Sequence, residues 1–232
     1  MTVVQDYQAQ TEALADGTAA QVLAVWAAVQ AGQINTAEAG VMITAVIALA
    51  NAAATSLADA YVSAAVEEVT GIPAPAVGLP PVDDFDRLAQ AVDTVFGDLP
   101  QATDRQEPAA ADNEPRRPNE PEDTVLDDVP QATDKPAPEA VGDEPEDTAA
   151  VRLERLARSE PLATAQRVTV EVMAEQPKVI GWRRVLDADP CKLCVWLYAN
   201  GRIYKPTTRF RQHPNCNCQP DPVIETKEKQ PA

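Results

Sequence analysis

Four cysteines and one histidine are the residues of this chain whose types and spacing could do chemistry: Cys191, Cys194, His213, Cys216 and Cys218. They are all the cysteine and all the histidine in 232 residues, and they fall within residues 191–218 as C-x2-C-x18-H-x2-C-x-C. Two close-set groups separated by a spacer long enough to fold back suit a tetrahedral zinc ion, because each group can approach the metal from its own tight turn. Zn2+ has four places and the cluster offers five ligands. Cys191 and Cys194 form the first knuckle; two of His213, Cys216 and Cys218 complete the set, with His213 and one cysteine favoured. Disulfides or free thiols are the alternatives open to the same cysteines.

The cluster could also be catalytic, and each such reading lacks a partner. Pro190, Cys191 and Cys194 match the PCxxC half of the zinc nucleoside deaminases, but that reaction needs an upstream H-x-E, and no histidine precedes Cys191. A redox CxxC wants a thioredoxin-like βαβ context, which is missing here. A Ser or Cys nucleophile would need His213 as its base, free only if no metal takes it. The sequence therefore predicts no enzyme and a structural metal.

The elements that must position these residues divide the chain. Asn200-Gly201, between the apolar stretches 196–198 and 203–204, predicts a tight β-hairpin that carries the second ligand group over the first. Upstream, Leu153, Leu156 and Ala157 predict one helix, and Ser159 ahead of Pro161 predicts the start of another, with Leu162, Ala165, Val168 and Val172 as its buried stripe. Arg152, Arg155 and Arg158 would share a face, solvated in the first reading and turned to an acidic partner or phosphate in the alternative. In the N-terminal half, Thr18 and Gln21 read as a capping box for a short helix ended by Gly32. A longer helix is predicted over residues 36–69 and a third over 82–96, with Asp83, Asp84 and Asp86 at its positive end. The fold class is thus mainly α, with a small zinc-ribbon-like β-hairpin module at the C-terminus.

Composition separates the two halves. Residues 100–147 are rich in Pro, Glu, Asp, Ala and Thr and repeat PQATD and EPEDT, which reads as a long, disordered acidic linker. The predicted layout is a helical domain over 1–99, the linker over 100–147, a C-terminal domain with helices and the Cys/His module over 148–224, and a tail over 225–232. The formal net charge is -17. Residues 1–150 carry 5 basic against 27 acidic side chains, and residues 151–232 carry 14 against 9, so the C-terminal half alone could meet DNA without repulsion. Asp6 and Glu12 sit where a secretion signal would be apolar, so none is expected at this end. Residues 41–57 are uncharged, but alanine-rich, broken by Thr44, Asn51, Thr55 and Ser56 and without flanking basic anchors; a buried helix rather than a membrane span is predicted.

The run GWRRVLDADPCKLC, the later HPNCNCQPDPV and ARSEPLATAQ upstream resemble the C-terminal domain of the MuF-like phage minor head proteins, in the version found in phages of mycobacteria and related actinobacteria. The resemblance covers about residues 150–224. It implies a virion component made beside the portal, associated with portal or capsid interior, and used in head morphogenesis or at genome delivery. Relatives are sometimes labelled capsid maturation proteases; no protease site in this chain supports carrying that activity over. A nucleic-acid-binding zinc module acting on packaged DNA is the alternative. There, Arg183, Arg184, Lys192, Arg202, Lys205, Arg209 and Arg211 would be the basic surface, and Trp182, Trp196 or Tyr204 would stack on bases.

Overall fold

Thr2 opens the first helix: its hydroxyl accepts the Gln5 N–H and the Gln5 side chain returns to the Thr2 N–H, so the capping box at 2–5 is the one used. In the computed structural model, which describes residues 2–81, 84–98 and 148–226, helix α1 then runs Val3–Gln30 without a break. The box expected at 18–21 is an interior turn instead. Thr18 is buried and its hydroxyl donates to the Leu14 carbonyl, which satisfies the side chain within the helix. Helix α2 spans Thr36–Thr70, close to the predicted bounds. Asn35 and Glu38 cap it reciprocally, and Gly71 closes it at φ 66. Helix α3 is Phe85–Gly97, shorter at its start than predicted, with Leu88, Val92 and Val95 buried. Val82 and Asp83 lie outside the described residues, as do the acidic segment 100–147 and the tail from residue 227.

Helix α4, Ala149–Glu175, joins what the sequence reads as two helices. Pro161 sits inside it and is buried, and Ser159 is no N-cap: its hydroxyl bonds the side chain and accepts the N–H of Asn215. One unsatisfied carbonyl at a proline is a bearable loss where the flanking turns are held by packing. The described residues on either side of 100–147 contribute to one compact unit. The separate helical and C-terminal domains expected from composition are therefore not what packs. Helices α1, α2 and α4 lie against one another because α2 presents Ala50, Ala54, Ala58 and Ala65, whose small side chains let backbones approach. Tyr7 of α1 stacks on Tyr61 of α2 at 4.2 Å between ring centroids, and its hydroxyl reaches Thr169 of α4 at 2.9 Å. Arg152 and Arg158 are not simply solvated. They pair with Asp98 at 2.7 Å and with Glu12 and Asp16, and so tie α4 to its neighbours.

Helix α2 is long and apolar enough, by length and composition, to cross a membrane. In this fold some of its buried polar groups have partners: the Asp59 carboxylate accepts the N–H groups of Val77 and Gly78 at 2.8 and 2.7 Å, and the Thr55 hydroxyl donates to the Asn51 carbonyl, whereas the Thr44 hydroxyl has none among the described residues.

After α4 come strand β1 (Val179–Val185), helix α5 (Lys192–Tyr198), strand β2 (Ile203–Tyr204) and strand β3 (Gln219–Ile224). The sheet is antiparallel in the order β2-β1-β3. The predicted hairpin about Asn200-Gly201 is absent. Residues 192–198 are helical, and Ala199, Asn200 and Gly201 take φ 43, 57 and 79 to end α5 and turn into β2. Positive φ at successive residues suits a left-handed helix stop as well as a hairpin turn, and the Cys191 cap decides between them. The mainly α expectation holds, while the β part is a three-stranded sheet centred on β1 rather than a hairpin between the two ligand groups.

Candidate metal centre

The first knuckle is the start of α5. Cys191 is its N-cap, and the Cys191 sulfur accepts the N–H of Cys194 at 3.3 Å, which folds the two sulfurs to the same side. The second group sits on a turn written into its residues. In His213-Pro214-Asn215-Cys216 the Cys216 N–H donates to the His213 carbonyl at 3.2 Å, and Asn215 takes φ 60. Proline second and asparagine third is the pattern of a type II turn, whose third residue must be left-handed.

These turns bring all five predicted ligands together, as two triads that share Cys194: Cys191, Cys194 and His213, and Cys194, Cys216 and Cys218. Within each triad the ligand atoms lie within 4.8 Å of one another. His213 Nε2 stands 3.0 Å from the Cys191 sulfur and 3.3 Å from that of Cys194, and the Cys194 and Cys216 sulfurs are 3.5 Å apart. Ligand atoms on a single tetrahedral zinc, with metal–sulfur and metal–nitrogen bonds of about 2.3 and 2.0 Å, would be separated by about 3.5 to 3.8 Å. The spacing is slightly contracted from that value and far longer than a disulfide, and all four cysteines are free thiols.

Second contacts orient the ligands. His213 Nδ1 lies 3.0 Å from the Pro214 carbonyl, an arrangement that puts the proton on Nδ1 and leaves Nε2 for a metal. The Cys218 sulfur accepts the N–H of Asp187 at 3.4 Å. Gln166 of α4 donates to the carbonyls of Cys216 and Cys218, and Thr11 of α1 donates to the Asn217 side chain at 2.8 Å. Asn217 and Gln8 exchange bonds, and Gln219 joins the same buried network. The loop that carries the second Cys/His group is clamped by two helices far apart in sequence, α1 and α4. None of these polar residues stood out in the sequence, although Gln166, set among the apolar positions of its helix, is the one whose placement signals a buried partner.

The electrostatics of the cluster fit a cation. A hydrogen bond from Cys218 pulls the Cys216 thiol down to about 5, while burial and then the charge of Cys216 push Cys194 up to about 12. Cys218 is pushed far up by donating to Cys216 and by burial. Thiolates this close oppose one another's ionisation, a repulsion that a bound cation would relieve. Cys191 is lowered, chiefly by the N–H of Cys194. His213 is raised: burial opposes the shift, and the Pro214 carbonyl with Cys216 and Cys191 outweighs it.

Arg184 of β1, read from the sequence as surface, is 1% exposed. It packs 3.8 Å over the Phe210 ring, reaches the Cys194 sulfur at 3.6 Å and donates to the Arg211 carbonyl, and no carboxylate pairs with it among the described residues. Trp182, also read as a stacking surface, is buried; it stacks on Tyr204 at 4.3 Å and donates to the Thr208 carbonyl. Arg183 is tied to Asp221 at 2.8 Å.

Comparison of the chain with known protein families, with characterised proteins and with solved structures finds no match.

Proposed function

We propose that this chain is a minor head protein of the MuF-like kind, a virion component that docks on the portal or the capsid interior, with a C-terminal module pinned by one structural Zn2+. Cys191, Cys194, His213 and Cys216 would hold the ion, and Cys218 would stay outside the set, bonded to the Asp187 N–H. The observation that carries the metal is the convergence of ligand atoms from two separate turns into two triads that share Cys194, each within 4.8 Å. Arg184, buried to 1% beside Cys194 with no carboxylate partner among the described residues, is compatible with such a site, since a zinc ion on three thiolates and a neutral imidazole carries one net negative charge. The closed surroundings of Cys194 and Cys216, both buried, suit a structural rather than a catalytic ion.

The docking role draws on the sequence resemblance and on α2. Between Glu38 and Asp59 the helix has no charged residue, yet Val41 and Leu49 are 65% and 74% exposed, with Met42 exposed beside them. Uncharged, exposed helix surface of this kind suits a protein partner. Co-expression with the portal protein of the same virus, followed by pull-down through a tag on this chain, should recover both, and Leu49→Asp should weaken recovery. Recovery of neither portal nor capsid protein would sink the head-protein reading. Cleavage of the major capsid protein, lost on His213→Ala, would replace it with the protease reading. Metal analysis tests the zinc separately: one zinc per chain, kept in Cys218→Ser and lost in Cys194→Ser.

A further inference from the structure

Between Asp189 and Asp221 the chain has no acidic residue, and it carries Lys192, Arg202, Lys205, Arg209 and Arg211. All five are exposed. Arg87, Arg152, Arg158, Arg167 and Arg183 each pair with a carboxylate, whereas none of these five does among the described residues. In a chain of net charge -17, a segment of unpaired cations is where an anionic partner meets a favourable local field, since screening at about 0.1 M salt confines interactions to about 10 Å.

The same segment exposes an aromatic ring. Trp196 is 71% exposed on α5, on the side away from buried Cys194 and Leu197, and it follows Lys192 by one helical turn. Leu193 and Val195 on α5 and Ile203 of edge strand β2 are exposed as well. Arg202 and Lys205 flank that strand, with Arg202 lying 5.3 Å from the Tyr204 ring. Phosphates and an unstacked base would use both features together: the cations take the backbone, and the indole takes the base face. An acidic polypeptide would use the cations and leave Trp196 without a planar partner.

We infer that the segment 192–211 forms a surface that binds single-stranded nucleic acid, with phosphates on Lys192, Arg202, Lys205, Arg209 and Arg211 and a base stacked on Trp196. It is narrower than the surface expected from sequence, because Trp182 and Arg184 are buried and Arg183 is paired. It does not depend on the head-protein reading and holds whichever partner the helices bind.

The test uses the full chain and a fluorescently labelled oligothymidylate, followed by anisotropy across a salt series. Binding should weaken with salt, with a log–log slope approaching about -3.5 if all five cations each contribute about -0.7. Trp196→Ala should lower affinity roughly 10- to 100-fold, with Trp196→Phe retaining most of it, and binding should quench Trp196 emission. Arg202→Gln combined with Lys205→Gln should reduce the slope by about 1.4, while Arg167→Gln, whose side chain is paired on α4, should change nothing. The inference is overturned by no binding at low salt, by full affinity in Trp196→Ala, by equal affinity for a duplex of the same length, or by polyglutamate competing as well as the oligonucleotide.

Discussion

The alanine-rich helices and the cysteine module reach order by opposite routes. Each helix is determined many times over. In α2 a reciprocal cap, a left-handed stop and buried positions from Ala39 to Val66 all favour the same element, so losing any one leaves the rest. The module is determined by a few groups that no neighbour can replace. Its strand β2 has two residues, α5 has seven, and the loop from Thr208 to Cys218 has no regular element. It is held by the Cys/His cluster, by Arg184 and Trp182 from β1, and by polar clamps reaching in from α1 and α4. A region with little core of its own depends on specific contacts, and a region rich in core depends on its average composition.

The comparison breaks most visibly at Cys194, the residue both triads share. Structural zinc contributes on the order of 10 kcal/mol to folding near neutral pH, as much as the whole stability of a typical domain. Cys194→Ser, or chelator on the native protein, should erase the near-UV signal of Trp182 while most far-UV helical signal survives. Acid should act like chelator, because protons compete for thiolates and imidazole. Parallel loss of both signals would show that helices and module form one cooperative unit. An unchanged spectrum in chelator and reductant together would remove the metal from the account.

A smaller effect separates the module's backbone from its metal. A Cβ at Gly181 of β1 would stand 2.6 Å from the Tyr204 carbonyl oxygen and 2.8 Å from the Ile203 side chain, distances real atoms do not keep. Gly181→Ala must push β2 away and open the Trp182–Tyr204 stack. Forced overpacking of this sort costs about 1 to 3 kcal/mol. Thermal unfolding should register that loss with one metal still bound per chain; loss of the metal as well would mean that β2 pairing and ligand placement are inseparable.

The same contrast governs what could be read from the residues alone. Helix α2 was legible almost to its ends, because its apolar helical run stops at Gly71 and Pro73, although the Asn35–Glu38 cap did not stand out. The cluster of five candidate ligands was legible because they are the chain's only cysteines and histidine. Strands β1 and β3 were not. Val179–Val185 places Gly, Trp and two Arg in succession without clear alternation, and β3 contains Pro220 and Pro222, which argue against a strand except at an edge, where it lies. The packing of α1 against α4 was illegible for another reason. Contacts such as Tyr7 to Thr169 bridge 162 residues, and the acidic segment between them reads as a spacer whether or not its ends meet. The burial of Arg184 also goes against its type, and only its neighbours Phe210 and Cys194 explain it.

The smallest predicted effect sharpens the helical side. Tyr7 and Tyr61 are each raised above their ordinary value of 10.0, chiefly by burial; the Thr169 hydrogen bond opposes the shift at Tyr7, and Asp221 adds to it at Tyr61. Both therefore stay neutral in the folded chain at a pH where the unfolded chain has begun to ionise. Their contribution is fully present below pH 10.0, and stability should fall as pH rises from there towards the folded values, because the unfolded state releases its phenolic protons first. Tyr7→Phe should flatten part of that alkaline decline. Near neutral pH it should cost about 1 kcal/mol for the lost bond to Thr169, whose hydroxyl keeps its other bond to the Ala165 carbonyl at 2.7 Å. Denaturant titrations of both proteins at neutral and alkaline pH measure the two terms. An alkaline slope identical in wild type and Tyr7→Phe would place the titrating groups elsewhere, with the cysteines of the other region the first to examine.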